Sequence, residues 1–177
     1  YPAAWAKMLW GARLLKRGTD RAGEPSDASA DSESLRESLC GKTLGERYRV
    51  ETLLARGGMG TVYIGRHLLL DTKVAIKVAK LSASVGAEAR FLREARLACR
   101  FRHPNLVQIF DGGLVGERMG YLVMELLPHR TLADCLDRES LDLFRACRIA
   151  LETAKGLRAM HERGVIHCDP HPPAFPS

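Results

Sequence analysis

Residues 54–77 read LARGGMGTVYIGRHLLLDTKVAIK and combine a glycine cluster with a lone lysine in an apolar run. The glycines, Gly57, Gly58 and Gly60, predict a tight turn, because a residue without Cβ permits both a sharp bend and a close approach of the backbone to an anion. The amide groups of such a turn can face the phosphates of a nucleotide. For the glycines alone, an ordinary hairpin turn is the alternative interpretation.

A single lysine follows in an apolar strand. Residues 74–79 alternate with a period of two, which places Ala75 and Lys77 on one face of that strand. Fifteen residues separate Val62 from Lys77 (77 − 62), enough for one strand, a turn near residues 70–72 and an antiparallel return. The lysine is therefore expected to lie over the glycine turn, and the combination predicts a nucleotide-binding site.

This combination resembles the eukaryotic-type protein kinases, and most closely the bacterial serine/threonine kinases, whose glycine-rich loop reads GxGxxGxV and whose lysine strand reads VAIK. Gly57, Gly60 and Val62 match the later positions of that loop, whereas Ala55 stands where the first glycine belongs. The resemblance implies that these residues, with Gly58, Ala75 and Lys77, bind ATP. The methyl group of Ala55 is expected to weaken the grip on the phosphates without abolishing it.

The resemblance implies an α+β, protein-kinase-like fold. A five-stranded antiparallel small-lobe sheet with one helix is expected, followed by the first helices of a helical large lobe. The kinase domain is expected at 48–177 and incomplete, with the small lobe and hinge at 48–127 and the start of the large lobe at 128–177. Residues 1–17 are expected to form a basic amphipathic stub and residues 18–47 a flexible linker, because the stretch 18–38 is poor in large apolar side chains.

Periodicity places strands from residue 48 into the glycine turn and at 61–67, 72–80, 106–110 and 121–126, and helices at 86–101, 131–138 and 141–163. The first helix is expected to bury Ala89, Leu92, Ala95 and Leu97 or Ala98. The last is expected to pack through Leu143, Cys147, Ala150, Ala154 and Leu157.

Several further site residues are implied by the resemblance. In the family a helix glutamate pairs with the strand lysine, and Glu94 stands at that position, seventeen residues after Lys77 (94 − 77). A solvated acid paired with a neighbouring arginine of its own helix is the alternative. Met124 corresponds to the gatekeeper, and the hinge from Glu125 to Leu127 would bind adenine through its backbone.

The stretch GVIHCDPHPPAFPS, residues 164–177, resembles the catalytic loop HRDLKPxN. Asp169 matches the base that orients the substrate hydroxyl. His171 replaces the lysine expected near the γ-phosphate, and Ala174 replaces the asparagine that holds Mg²⁺, so the metal expected for the family lacks protein ligands here. A frameshift or an assembly break after Asp169 would explain this ending and its prolines.

Composition limits the partners. The net charge of +6 is spread along the chain without a long basic run, which argues against nucleic-acid binding. Five cysteines, none with metal-site spacing, favour a reducing cytoplasm. Residues 3–17 are basic and amphipathic, so contact with a membrane is the alternative to the stub of an upstream helix.

The sequence thus predicts a serine/threonine protein kinase fragment that binds ATP, acts on protein hydroxyls, and shows little or no phosphotransfer by itself. One alternative is a noncatalytic pseudokinase or nucleotide-binding interaction module, favoured by Ala55, His171 and Ala174. Another is a product that does not fold stably, because the apolar face of its last helix would be exposed.

Overall fold

The computed structural model describes residues 39–57, 60–127, 132, 136 and 140–163. In chain order the elements are β1 (Thr43–Leu44), β2 (Tyr48–Gly57), β3 (Gly60–His67), β4 (Thr72–Lys80), α1 (Ala87–Cys99), β5 (Ile109–Leu114), β6 (Met119–Glu125) and α2 (Leu143–His161). The strands form one antiparallel sheet in the order β1-β2-β3-β4-β6-β5. This arrangement confirms the predicted α+β fold, with a short strand added at the edge.

The segment before Tyr48 is more ordered than predicted. Leu39 and Leu44 are only 2% and 3% exposed, and Thr43 and Leu44 pair with β2. The assignment of residues 39–47 to the flexible linker is therefore wrong. Two isolated leucines among glycines and charged residues show no strand periodicity, so their burial against the sheet was not visible in the sequence.

The sheet has two faces, each with its own apolar cluster. We call back face the side covered by the segment before Tyr48, where the buried cluster consists of Leu39, Leu44, Tyr48, Val50, Tyr63, Val74, Ile76, Val78, Met119, Tyr121 and Val123. We call front face the side on which α1 lies, where the cluster consists of Leu81, Phe91, Ala95, Ala98, Phe101, Leu106, Ile109, Leu122, Ala159 and Met160.

Helix α1 packs against β5 and β6 on the front face. It buries Phe91, Ala95 and Ala98, which recur at intervals of four and three residues and so form one stripe. The burial of Ala95 and Ala98 confirms the prediction, whereas Ala89 is exposed and Leu97 is 61% exposed. Phe91 takes the place predicted for Ala89, because its ring lies directly on the backbone of Gly120.

Strand β5 also differs from its prediction. It starts at Ile109 and continues through Gly112 and Gly113, which the sequence placed in a turn. A Cβ on Gly112 would lie 3.0 Å from that of Ala95, and one on Gly113 would lie 2.6 Å from the hydroxyl of Tyr121. These glycines therefore serve close packing within a strand.

Helix α2 begins at Leu143, with the Asp142 side chain accepting a hydrogen bond of 2.8 Å from the backbone N–H of Arg145 as N-cap. Its buried residues are Gly156, Ala159 and Met160, near its end. The predicted packing stripe is wrong for four of its five residues, because Leu143, Cys147, Ala150 and Ala154 are exposed and only Leu157 is half-buried. Of the predicted helix at 131–138, residues 132 and 136 are helical and the others lie outside the described residues.

Asn105 joins α2 to the turn after α1. Its side-chain amide is buried and donates hydrogen bonds to the backbone carbonyl of Glu152 at 2.8 Å and to its carboxylate at 2.7 Å. Close packing supports this joint, since a Cβ on Gly156 would lie 3.2 Å from the carbonyl oxygen of Asn105. No helix within the described residues is long and apolar enough to cross a membrane.

Candidate functional site

A single row of paired residues crosses the front face of the sheet. Ala55 of β2 pairs with Val62 of β3, Val62 with Lys77 of β4, Lys77 with Leu122 of β6, and Leu122 with Gly112 of β5. Directly paired residues point to the same side of a sheet. The structure therefore brings together Ala55, Val62 and Lys77, which are seven and fifteen residues apart in sequence (62 − 55, 77 − 62).

The next row extends the same surface towards the hinge. Ala75 pairs with Ile64 on one side and with Met124 on the other. Along β3 the burial alternates: Val62 and Ile64 are half-exposed while Thr61 and Tyr63 are buried. The front face of β2–β4 is thus an apolar, partly open surface with one cation, Lys77, in the described part of these two rows. A flat apolar surface beside a cation suits a base attached to phosphates.

The glycine turn closes one end of this surface. Gly57 pairs with Gly60, so β2 and β3 form a hairpin, and residues 58–59 between them lie outside the described residues. Gly60 has a φ of +123°, and a Cβ there would lie 2.5 Å from the carbonyl oxygen of Val78 and 2.8 Å from the Cβ of Ala79. Only glycine fits this position, because both the backbone conformation and the space exclude a side chain.

We call Lys77 row the row that runs from Ala55 of β2 through Lys77 to Gly112 of β5. Helix α1 lies over its β5 end. Ala95 contacts the position of Gly112, the last member of that row, and Glu94 is its neighbour in sequence. Glu94 and Lys77 are both half-buried, and each interacts with other groups. The pairing of this lysine with this glutamate stays a prediction, and the position of α1 over the row that contains Lys77 supports it.

The hinge follows directly from β6. The backbone N–H of Glu125 donates to the carbonyl of Gln108 at 2.9 Å, so this amide is already engaged. Gln108 further donates from its side chain to the carbonyl of Ile109 at 2.8 Å. Sequence reasoning missed Gln108 as the residue that fixes the start of the hinge, because a lone glutamine in an apolar stretch gives no periodic signal. Leu127 is half-buried at the end of this segment.

Other predicted site residues lie outside the described part of the chain, namely Gly58, Asp169, His171 and Ala174. Within the described residues, no group of three or more His, Cys, Asp or Glu side chains is arranged to hold a metal ion. The alanine at position 174 offers no side-chain oxygen for Mg²⁺, which requires oxygen ligands.

The back face contains two tyrosines whose pKa values are shifted. On the back face, burial and then the neighbouring Asp111 carboxylate raise the pKa of Tyr48 to about 12. Burial also raises the pKa of Tyr121, again with a contribution from Asp111. Asp111 itself forms an ion pair of 2.8 Å with Arg47. These groups tie the segment before β2 to β5 and belong to the packing of the sheet.

Comparison with known proteins agrees with this geometry. The protein kinase domain family matches residues 48–172. The serine/threonine-protein kinase pkn2 of Myxococcus xanthus is 42% identical over 128 residues, covering 71% of this chain and 15% of that protein. The serine/threonine-protein kinase PknJ of Mycobacterium tuberculosis is 38% identical over 130 residues, covering 72% of this chain and 22% of that protein.

The fold is similar to that of a solved kinase domain. The crystal structure of the Mycobacterium tuberculosis PknI kinase domain superposes with a TM-score of 0.60 and 27% identity, over 75% of this chain and 54% of that one. A cysteine-to-alanine mutant of the same domain gives a TM-score of 0.65 and 26% identity, over 55% of its length. The chain thus spans about half of that kinase domain, and a quarter or less of the two bacterial relatives.

Proposed function

Because this chain belongs to the protein kinase family, on its bacterial serine/threonine branch, we propose that it binds ATP on the front face between the glycine hairpin and Lys77. The observation that carries the proposal is the row in which Ala55, Val62 and Lys77 are paired neighbours. The base would lie on Val62, Ile64, Ala75 and Met124. The hairpin amides and the Lys77 ammonium would then face the phosphates.

In the whole protein, we propose that the γ-phosphate is transferred to a protein serine or threonine hydroxyl. Asp169 would accept or orient the hydroxyl proton, which requires an acceptor-only carboxylate. Glu94 would hold the Lys77 ammonium at a fixed position. The chain of 177 residues is expected to show little or no phosphotransfer by itself, since His171 and Ala174 replace two groups that act on the phosphate and its metal.

Nucleotide affinity in the Lys77→Met variant tests the site. Loss of a charge-assisted hydrogen bond removes about 1.5–3 kcal/mol of binding, so ATP affinity should fall about tenfold or more. Calorimetry or displacement of a fluorescent ATP analogue measures this. Lys73→Met is the matched control, since Lys73 is an exposed lysine at the start of the same strand. Equal affinities of the two variants would contradict the assignment.

The role of Glu94 can be tested against a control residue on the same helix, α1. Glu94→Gln should weaken ATP binding several-fold through the misplaced lysine, whereas Glu88→Gln, in the exposed first turn, should leave it unchanged. In the double variant with Lys77→Met, the Glu94 substitution should add nothing, because its effect acts through the lysine. Additive losses would show that Glu94 acts independently of Lys77.

A second candidate function is a noncatalytic nucleotide-binding module, favoured by the methyl group that Ala55 places in the Lys77 row. Such a module would bind ATP equally well with and without Mg²⁺ and transfer no phosphate. Autophosphorylation of a protein that includes the whole kinase domain, lost in Asp169→Asn, would decide for the enzyme. Metal-independent binding without turnover in that protein would decide for the module.

A further inference from the structure

The outward side of α1 carries four arginines in one stripe. Arg90, Arg93, Arg96 and Arg100 are all exposed, and we call this set the arginine stripe. At about 100° per residue they fall within about 120° of the helix surface, opposite the stripe of Phe91, Ala95 and Ala98 that faces the sheet. The arginine stripe therefore faces solvent along the whole length of the helix.

The arginine stripe lacks acidic partners in the described part of the chain. Arg90 donates a hydrogen bond of 2.6 Å to the Ser84 hydroxyl, a neutral group. Arg93, Arg96 and Arg100 form no ion pair with any described residue. Other described arginines do form ion pairs, namely Arg47 with Asp111 and Arg66 with Glu51 and Asp71.

Like charges three or four residues apart on a helix destabilise it. The spacings 90–93, 93–96 and 96–100 are all of this kind. An anionic segment lying along the arginine stripe would remove the repulsion and gain several charge-assisted hydrogen bonds, because the guanidinium group binds carboxylates in a bidentate manner. Leu97, 61% exposed between the arginines, adds an apolar contact for such a segment.

The chain itself contains a segment of complementary charge. Residues 18–38 hold six acids and two arginines, a net charge of −4 (2 − 6), although the whole chain is basic. The acids are Asp20, Glu24, Asp27, Asp31, Glu33 and Glu37. The segment directly precedes Leu39, which is buried against the sheet, so its C-terminal end is fixed close to the small lobe.

The acids of this segment are joined to the folded part of the chain by a short stretch of residues. Twelve residues separate Asp27 from Leu39 (39 − 27), and a flexible chain of that length has a root-mean-square span of about 19 Å. A tethered partner at such distances has an effective concentration of the order of millimolar. Weak individual charge pairs are then sufficient for binding within one molecule.

From these observations we propose that the acidic segment 18–38 binds the arginine stripe of α1 within the same chain. Binding restrains the helix that carries Glu94, and so connects the sequence before the kinase domain to the position of that glutamate. The docking depends on salt and does not require a nucleotide, so it stands or falls independently of the proposed ATP site.

Cross-linking of the full chain tests the docking. In the charge-preserving variant Arg93→Lys, Arg96→Lys, Arg100→Lys, a carbodiimide should couple the new amines to acids of residues 20–37, as mapped by mass spectrometry of the monomer. Raising NaCl from about 0.1 M to about 1 M shortens the Debye length from about 10 Å to about 3 Å and should reduce the coupling several-fold. Exposed Lys73, at the start of β4 and not on α1, is the internal control.

Three outcomes would overturn the proposal. These are no coupling at low salt, coupling of residues 20–37 to Lys73 as readily as to α1, and coupling found only in dimers, which would assign the arginine stripe to a second copy or another acidic protein.

Hydrogen exchange tests the docking with substitutions that lie only in the acidic segment and leave the sequence of α1 unchanged. In a chain whose six acids at 20–37 are replaced by Asn or Gln, the amides of α1 should exchange several-fold faster, while those of α2 keep their rate. Unchanged exchange in α1 would contradict the docking.

Discussion

The two faces of the sheet differ in how far other residues cover them. On the back face Val50, Ile76 and Val123 are completely buried, whereas on the front face Val62 and Ile64 remain half-exposed. Because successive residues of a strand point to opposite sides, β3 and β4 contribute to both faces through alternate side chains. Stability and ligand binding can therefore be altered separately, by substitutions one residue apart.

The largest expected effect is a loss of stability when a buried side chain of the back face is shortened. Ile76→Ala removes a completely buried side chain and should lower the free energy of unfolding by about 2–5 kcal/mol. Ile64→Ala is the matched control, since it is the same change on the neighbouring strand but on the half-exposed front face. It should cost about 1 kcal/mol. Urea denaturation followed by circular dichroism measures both.

Nucleotide binding should show the opposite order. Ile64→Ala is expected to weaken ATP affinity at concentrations of urea where both variants are folded, and Ile76→Ala should not. If Ile76→Ala weakened binding more than Ile64→Ala, the two faces would not be functionally separate.

The glycine hairpin gives the next largest effect. Gly60→Ala introduces a Cβ 2.5 Å from the carbonyl oxygen of Val78 at a φ of +123°, which should cost about 3 kcal/mol and distort the phosphate side of the site. Gly116→Ala is the control: its φ is also positive, at +59°, but its Cβ would meet open space. It should cost about 1 kcal/mol and leave ATP binding unchanged. Equal costs would show that backbone strain alone determines the effect.

The front face was predictable from sequence because its signals are local. The alternation of residues 74–79, the glycines of the hairpin and the fifteen residues between Val62 and Lys77 determine one strand pair, and the structure pairs these two residues directly. The structure likewise confirms β4 at Thr72–Lys80. Each of these predictions depended on one turn between adjacent strands, which leaves few alternative registers.

The back face was not predictable, because its contacts join distant segments. Leu39 and Leu44 are buried by strands that follow them in the chain, and Arg47 pairs with Asp111 across 64 residues (111 − 47). Neither contact has a periodic signature. Gly112 and Gly113 were assigned to a turn for the same reason, since the side chains of Ala95 and Tyr121 that require them come from other elements.

The stability of the back face should depend on pH through the ionisation of Tyr48. Tyr48 has a pKa of 10.0 when unperturbed and about 12 in the folded chain, so the unfolded state releases its proton first as the pH rises. The stabilisation is complete below pH 10 and is lost between about pH 10 and 12, amounting to about 3 kcal/mol.

Urea denaturation at about pH 9 and pH 11 measures this loss, and Tyr48→Phe should reduce the difference between the two values. The pKa of Tyr121 is also raised, so part of the pH dependence should remain in the variant. An identical pH dependence in both proteins would show that Asp111 and burial do not act on Tyr48 as described.

The smallest expected effect comes from replacing Ala55 of the front face by glycine. Ala55→Gly removes the methyl group that stands in the row with Val62 and Lys77, at the position where the family has glycine. ATP affinity should rise a few-fold, equivalent to less than about 1 kcal/mol, because the backbone of β2 can approach the phosphates more closely. Stability should fall by about 0.5–1 kcal/mol, since glycine weakens a strand interior. Opposite signs for binding and stability would distinguish a front-face site residue from a packing residue. A loss of both would show that Ala55 only supports the strand.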